Sequence, residues 1–191
     1  MYLELSTVIY LFGCYFLQQR ILRGINVLKN IYRTLKRILL GRVALLRISS
    51  FKELPLVNGF SLFNRNTSIG NNTNFNGFRV YGDGHVIIGD NFHSGRGCSI
   101  ITQVHNYKGS KLPYDESYEY KNVEIQDNVW FGMNVLVLAT CVIGEGAIIQ
   151  AGSVVVSDIP ALSIAGGNPA RVFGSRDSNH YYELKKARQF H

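Results

Sequence analysis

Apolar side chains recur every six residues through the C-terminal half of the chain. Counting from Ile125 gives Phe131, Val137, Ile143, Ile149, Val155 and Ala161. With 46% hydrophobic residues overall, seven such hits in one chosen register have a chance probability on the order of 0.004. Four residues after each hit stand Val129, Val135, Cys141, Ala147, Ser153 and Ile159, all small or apolar. A period of six suits neither an amphipathic helix nor ordinary hairpins. It suits a short strand and a tight corner, three such units closing a triangular coil of roughly 18 residues. The period appears earlier at Ile69-Gly70, Ile88-Gly89, Ser94-Gly95 and Ile100, so residues 60–101 and 122–166 are expected to supply about five coils. The hits then stack as an interior ladder, with asparagine and glycine at corners that need left-handed backbone.

The N-terminal quarter follows another rule. Residues 5–17 form an apolar run of thirteen, short of the about 20 that a membrane-spanning helix needs. Beyond it Ile21, Ile25, Leu28, Tyr32, Leu35 and Leu39 recur at helical spacing, with Arg23, Lys29, Arg33, Lys36 and Arg37 on the other side. Such a basic amphipathic helix either lies in a membrane interface or packs its stripe on the body of the protein.

Charge sharpens the contrast. The chain carries +7 at neutral pH, but residues 1–52 hold nine basic side chains against Glu4 alone, whereas residues 53–191 hold 11 basic and 12 acidic ones. The N-terminal segment is too apolar for a simple phosphate-reading arm, and no nucleic-acid motif appears, so no nucleic-acid partner is expected. Cys14, Cys98 and Cys141 are odd in number and lack metal-ligand spacing, which argues against a disulfide framework or a structural zinc site and fits a reducing cytoplasm. Cys98 and Cys141 fall in the second apolar register and read as core residues rather than reactive thiols. No secretory signal is evident.

Residues 102–122 break the period for 21 residues, and they carry His105 with Tyr107, Tyr114, Tyr118 and Tyr120. Insertions of that length in a compact domain are usually functional or disordered. The chain thus divides into a basic amphipathic segment, residues 1–52, a coil domain, residues 53–174, with this inserted loop, and a tail, residues 175–191. In the tail Tyr181, Tyr182 and Leu184 precede Lys185, Lys186 and Arg188, which reads as a short helix packed on the coils, and either this helix or the N-terminal one is expected to cap the exposed strand edges at a coil end.

The stretches Ile125-Gln126-Asp127-Asn128-Val129-Trp130-Phe131-Gly132, Ile143-Gly144-Glu145-Gly146-Ala147 through Val155, Asp158-Ile159-Pro160, and Ala165-Gly166-Gly167-Asn168-Pro169-Ala170-Arg171 together resemble the hexapeptide-repeat acyltransferases. The resemblance covers residues 60–174 and is to the branch of galactoside, maltose and virginiamycin acetyltransferases and polysaccharide O-acetyltransferases. It implies an all-β, left-handed parallel β-helix, a homotrimer, and acyl transfer from coenzyme A in clefts between subunits, with no metal. Transfer from a thioester to an alcohol needs a base for the hydroxyl, and a neutral imidazole serves near neutral pH. His105, on the long insertion, is the catalytic candidate. His85, His93, His180 and His191 are irregularly placed for a three-histidine zinc site. The resemblance also implies that Trp130 and Met133 line the acyl end of the coenzyme cleft, that Ala151 meets the pantetheine arm and that Arg171 meets the nucleotide phosphates. Trp130 would equally suit a trimer interface. Ser157 and Gly174 stand where relatives often carry cations, so Arg176, Lys185 or Lys186 are substitutes for phosphate contact. Asn74 and Asp83 fall where similar enzymes bind the sugar, although Asn74 and Asn76 are also expected at coil corners. The loop tyrosines either stack on a sugar ring or pack the loop on its own subunit.

The expected function is therefore acetyl-CoA-dependent O-acetylation of a sugar hydroxyl on a bacterial surface-polysaccharide precursor, in the cytoplasm, with residues 1–48 making peripheral contact with the inner membrane face. Acetylation of an amino sugar or another small molecule is the rival enzymatic reading. A non-catalytic β-helix scaffold or metal-binding module is the reading of another class.

Overall fold

The computed structural model describes residues 2–191, with side chains described from residue 22 onward. Two compact units meet in the chain, residues 1–38 and residues 39–191. The first is the greater part of helix α1 (Tyr2–Leu45), on which Ile25, Leu28, Tyr32 and Leu35 are exposed. The side chains of the apolar run 5–17, and Cys14 within it, lie outside the described residues. Among the described residues no helix is long and apolar enough to cross a membrane.

The second unit is a parallel β-helix with three faces. The first face stacks Ser50–Phe51, Thr67–Ile69, Val86–Ile88, Val123–Ile125 and Cys141–Ile143. The second stacks Leu56–Gly59, Asn74–Asn76, His93–Arg96, Trp130–Phe131, Ile148–Ile149 and Ser163–Gly167. The third stacks Arg79–Tyr81, Ser99–Ile101, Leu136–Val137 and Val154–Val155. Pairing between coils is parallel, and on the first face it keeps one register, with Ile69 beside Ile88, Ile88 beside Ile125, and Ile125 beside Ile143. Counting by sixes therefore visits the three faces in turn. Ile125, Phe131, Val137, Ile143, Ile149 and Val155 are all fully buried, as are the second-register residues from Val129 to Ser153 apart from Cys141, itself only 3% exposed.

Two expectations change at the last coil and in the strands. Ala161 is exposed, and Ile159 takes its place beside Ile143, because the final coil is two residues shorter than an 18-residue turn. Asn74 and Asn76 are not corners. They are the outward positions of a strand whose central Phe75 is buried. The corners belong to Asn72, Asn91 and Asn128, with φ of 48°, 58° and 60°. Their amides stack coil on coil at 2.9 Å, Asn72 donating to Asn91 and Asn91 to Asn128. Asparagine tolerates this left-handed backbone because its short amide can bond locally.

The interior is aromatic at its N-terminal end, where Phe63, Phe75, Phe92 and Phe131 form a relay of rings with centroids 5.0 to 5.6 Å apart. Toward the other end Ile149, Val155 and Ala165 take over. The ends of the core are closed by two different devices. Leu40 and Ala44, in the last turns of α1, pack on the core beside the first coil. At the far end Ala170–Ser175 folds back antiparallel on Ser163–Gly167 and pairs the edge of the second face. Of the two helices expected as alternative end caps, the C-terminal one, α2 (Ser178–Lys186), therefore does not serve. It docks on a lateral corner, where the Tyr181 hydroxyl donates to Glu145 and accepts from Asn128, each at 2.8 Å.

Candidate active site

The insertion leaves the β-helix at the corner where the third face turns into the first. Gln103–His105 pairs antiparallel with Tyr118–Tyr120, which sets His105 opposite Tyr118. Thr102 anchors this hairpin: its hydroxyl donates to the Tyr81 carbonyl at 2.7 Å and accepts the Gly84 amide at 3.0 Å, while its carbonyl accepts the Lys121 amide at 2.7 Å. At the tip Asp115 accepts from the Ser117 hydroxyl and amide and from the Ser110 amide, and these bonds, the Ser117 hydroxyl foremost, bring its carboxyl down to about 2. The excursion is thus a braced hairpin with its own hydrogen bonds.

His105 is exposed at its edge. Its ring stacks on Tyr114, centroids 3.8 Å apart and planes 15° from parallel, and tilts against Tyr118 at 4.9 Å. Two of the four loop tyrosines thus pack on the candidate base. Tyr107 lies under the Lys108 ammonium, and Tyr120 is exposed.

Asp83 shares the corner of His105, one coil earlier. Its carbonyl accepts from the Asn66 amide at 2.5 Å, and the neighbouring Gly82 lies so close to Gln103 that a Cβ there would sit 2.3 Å from the Gln103 Cβ. Coils stack at the strand spacing of about 4.8 Å, which puts Asp83 on the order of one such step from the hairpin root.

The remaining candidates lie elsewhere on the protomer. Trp130 is on the second face, 51% exposed, across the core from the His105 corner. Met133 and Ala151 sit on adjacent coils at the corner between second and third faces, where the Gly152 amide donates to the Met133 carbonyl at 2.8 Å. Arg171 is exposed on the returning strand. Asn74 is also on the second face, its side-chain oxygen accepting from Asn58 at 3.0 Å.

A cavity of about 460 Å³ adjoins Trp130, walled by His93, Tyr181, Leu184, Phe190 and His191. Burial, and then the His191 ring 4.9 Å away, lower the pKa of His93. Of the substitute cations, Arg176 donates to the Gly146 carbonyl at 2.7 Å and Lys185 pairs with Glu145, both at this cavity, while Lys186 is exposed. Among the described residues no three His, Cys, Asp or Glu side chains gather as a metal-binding group.

Two features escaped the sequence pattern. The Tyr114 stack depends on the hairpin's pairing, which no periodicity encodes. Arg65 shares the His105 corner with Asp83, and Arg79 lines the same groove from the adjoining third face; the signal for Arg65 is spacing, since it precedes Asp83 by one coil of 18 residues.

Residues 122–157 match the bacterial transferase hexapeptide family, six repeats. The chain carries the hexapeptide repeat over that segment. Its likeness to the hexapeptide-repeat acyltransferases extends beyond the repeat. The galactoside O-acetyltransferase of Escherichia coli K12 is 32% identical over 126 residues, 63% of this chain and 61% of the relative. A hexapeptide-repeat-containing acetyltransferase from Vibrio cholerae superposes with a TM-score of 0.59 at 27% identity, over 74% of this chain and 81% of that one. A galactoside acetyltransferase solved with coenzyme A shares the fold, with a TM-score of 0.55 at 24% identity over 72% and 64% of the two chains. The hexapeptide-repeat chain spans between 28% and 61% of the length of the curated relatives it matches.

Proposed function

We propose that the protein transfers an acetyl group from acetyl-CoA to a sugar hydroxyl of a bacterial surface-polysaccharide precursor, with His105 as general base. The observation that carries this reading is the exposed His105 ring, braced by two tyrosines at the corner that also bears Asp83. The neutral imidazole takes the hydroxyl proton as the sugar oxygen attacks the thioester carbonyl carbon. Collapse of the tetrahedral intermediate breaks the carbon–sulfur bond, and the imidazolium returns the proton to the departing thiolate.

The opposed positions of His105 and Trp130 support a homotrimer. On a triangular prism the corner between the third and first faces lies across the core from the second face. A cleft that holds both rings therefore needs a neighbouring copy, which would contribute Trp130, Met133, Ala151 and Arg171 toward the coenzyme. Asp83 would hydrogen-bond the acceptor from the same subunit as His105, and Asn74 from the neighbour. The basic, apolar-faced helix α1 supports peripheral contact with the cytoplasmic face of the membrane, where precursors on lipid carriers are handled.

Thiol release from acetyl-CoA, screened against sugars and isolated glycan repeats, tests the reading. His105→Ala is expected to abolish release while light scattering still reports a trimer. No release by the parent with any acceptor would instead favour a scaffold, and equal measurable rates in parent and variant would overturn His105 as the base. Cosedimentation with anionic vesicles tests the membrane contact, and reversing Arg23, Lys29, Arg33 and Lys36 to Glu is expected to abolish it.

A further inference from the structure

A second groove, about 660 Å³, opens at the His105 corner on its N-terminal side. Three guanidinium groups line it, Arg47, Arg65 and Arg79, together with Asn66, Tyr81 and Asp83. All three arginines are exposed on residues that come from three successive stretches of chain: the segment after α1, the corner of the first coil, and the third face of the second. Among the described residues none of the three forms an ion pair. Arg79 donates only to the Tyr81 hydroxyl, at 3.3 Å, and the groove's single carboxylate, Asp83, leaves it two positive charges in excess.

Like charges converging on one concavity repel, and Asp83 offsets only one of the three. An anion with several acceptor oxygens would do so, because the planar guanidinium fork matches phosphate oxygens two at a time. The groove's place narrows the anion further. Its Asp83 wall is stacked directly under the root of the His105 hairpin through Tyr81, Gly84 and Thr102. A ligand with phosphate on the arginines would extend its sugar past Asp83 toward the hairpin root, two coil steps or roughly 10 Å from the Arg65 corner.

We propose that this groove binds the phosphate or diphosphate of a glycosyl phosphate, so that the acceptor is a phosphorylated, activated sugar rather than a free one. This rests on the acyl-transfer reading of His105 and sharpens it: the reaction that supplies the substrate is glycosyl activation or transfer onto a phosphorylated carrier, and acetylation precedes release of that carrier. Soluble nucleotide carriers and lipid carriers present the same diphosphate.

Titration calorimetry of the full chain with inorganic pyrophosphate tests it without calling on catalysis. Binding that weakens steeply with added sodium chloride, and at least about tenfold in Arg65→Gln/Arg79→Gln, supports the groove. No binding by the parent at millimolar pyrophosphate, or equal affinity in the double variant with an unchanged melting curve, overturns it. A nucleoside-diphosphate hexose in solution and a polyprenyl-diphosphate hexose in neutral vesicles then distinguish the carrier; tighter binding of either supports the proposal, and binding of neither overturns it. Pyrophosphate binding in a protein that never releases thiol supports the groove while overturning the acyl-transfer reading. Thiol release that depends on His105 in a protein blind to every phosphate overturns the groove alone.

Discussion

The His105 imidazole lies flat against the Tyr114 ring, 3.8 Å between centroids and 15° between planes. Among the described residues no carboxylate bonds to the imidazole; the Tyr114 face packs on it, with Tyr118 tilted beside it. Such aromatic contacts contribute about 0.5 to 1.5 kcal/mol beyond area burial. Tyr114→Ala is expected to lower kcat for thiol release up to roughly tenfold, with KM for acetyl-CoA little changed, and Tyr114→Phe to restore it, since the stack uses the ring and not the hydroxyl. A full rate in Tyr114→Ala would show that the stack does not position the base.

The aromatic relay in the core makes a second expectation quantitative. Phe131 is fully buried, 5.1 Å from the Phe92 ring. Phe131→Ala is expected to cost about 3 to 5 kcal/mol in urea unfolding. At the last coil the register correction separates two apolar residues a pair apart. Ile159, 3% exposed, beside Ile143, is expected to cost about 2 to 4 kcal/mol on replacement by Ala. Ala161→Ser, on an exposed position, should stay within about 0.5 kcal/mol. A reversed order would restore the uninterrupted six-residue count.

Most of the coil was legible because each apolar hit reports one thing, whether a position faces inward, and parallel stacking repeats that fact every turn. Ile125, Ile143 and Val155 obey it without help from distant contacts. Legibility failed where local geometry depends on chain length between hits. The shortened last coil moved the ladder from Ala161 to Ile159, and asparagine type alone could not separate the left-handed corner at Asn72 from the strand at Asn74. His105 was legible as a base candidate from its insertion, but the rings that brace it were not, because Tyr114 and Tyr118 meet it only through hairpin closure. The arginine groove was hidden for a third reason: Arg47, Arg65 and Arg79 converge only once the coil is wound.

The two described cysteines are expected to be chemically silent in the folded protein. Burial, with Asp158 nearby, takes the Cys141 thiol to about 11, and burial also raises Cys98, whose Sγ donates to the Gly132 carbonyl at 3.0 Å. The thiolate is the reactive form. In a Cys14→Ser background, a thiol reagent near pH 8 should label neither residue until denaturant is added, and then both. Rapid labelling of the native protein would show that the second apolar register is open to solvent.

The docking of α2 should confine part of the stability to a pH window. Burial alone would raise the Glu145 carboxyl, but hydrogen bonds from Lys185, Tyr181 and Asn128 outweigh it and hold the group below its ordinary value. A lowered folded pKa gives stability that is present above the unfolded value, near 4.5, and is lost as pH falls through the folded one. Tyr181 runs the other way. Burial and the adjacent Glu145 raise its hydroxyl, so its contribution is complete below the unfolded value near 10 and is lost as pH rises beyond it. Glu145→Gln is therefore expected to flatten the acid limb of a melting-temperature profile. Tyr181→Phe should flatten the alkaline limb and, by removing the hydroxyl shared by Glu145 and Asn128, cost about 1 kcal/mol near neutrality. An acid limb in Glu145→Gln as steep as in the parent would mean that other carboxylates, and not this corner, set the acid stability.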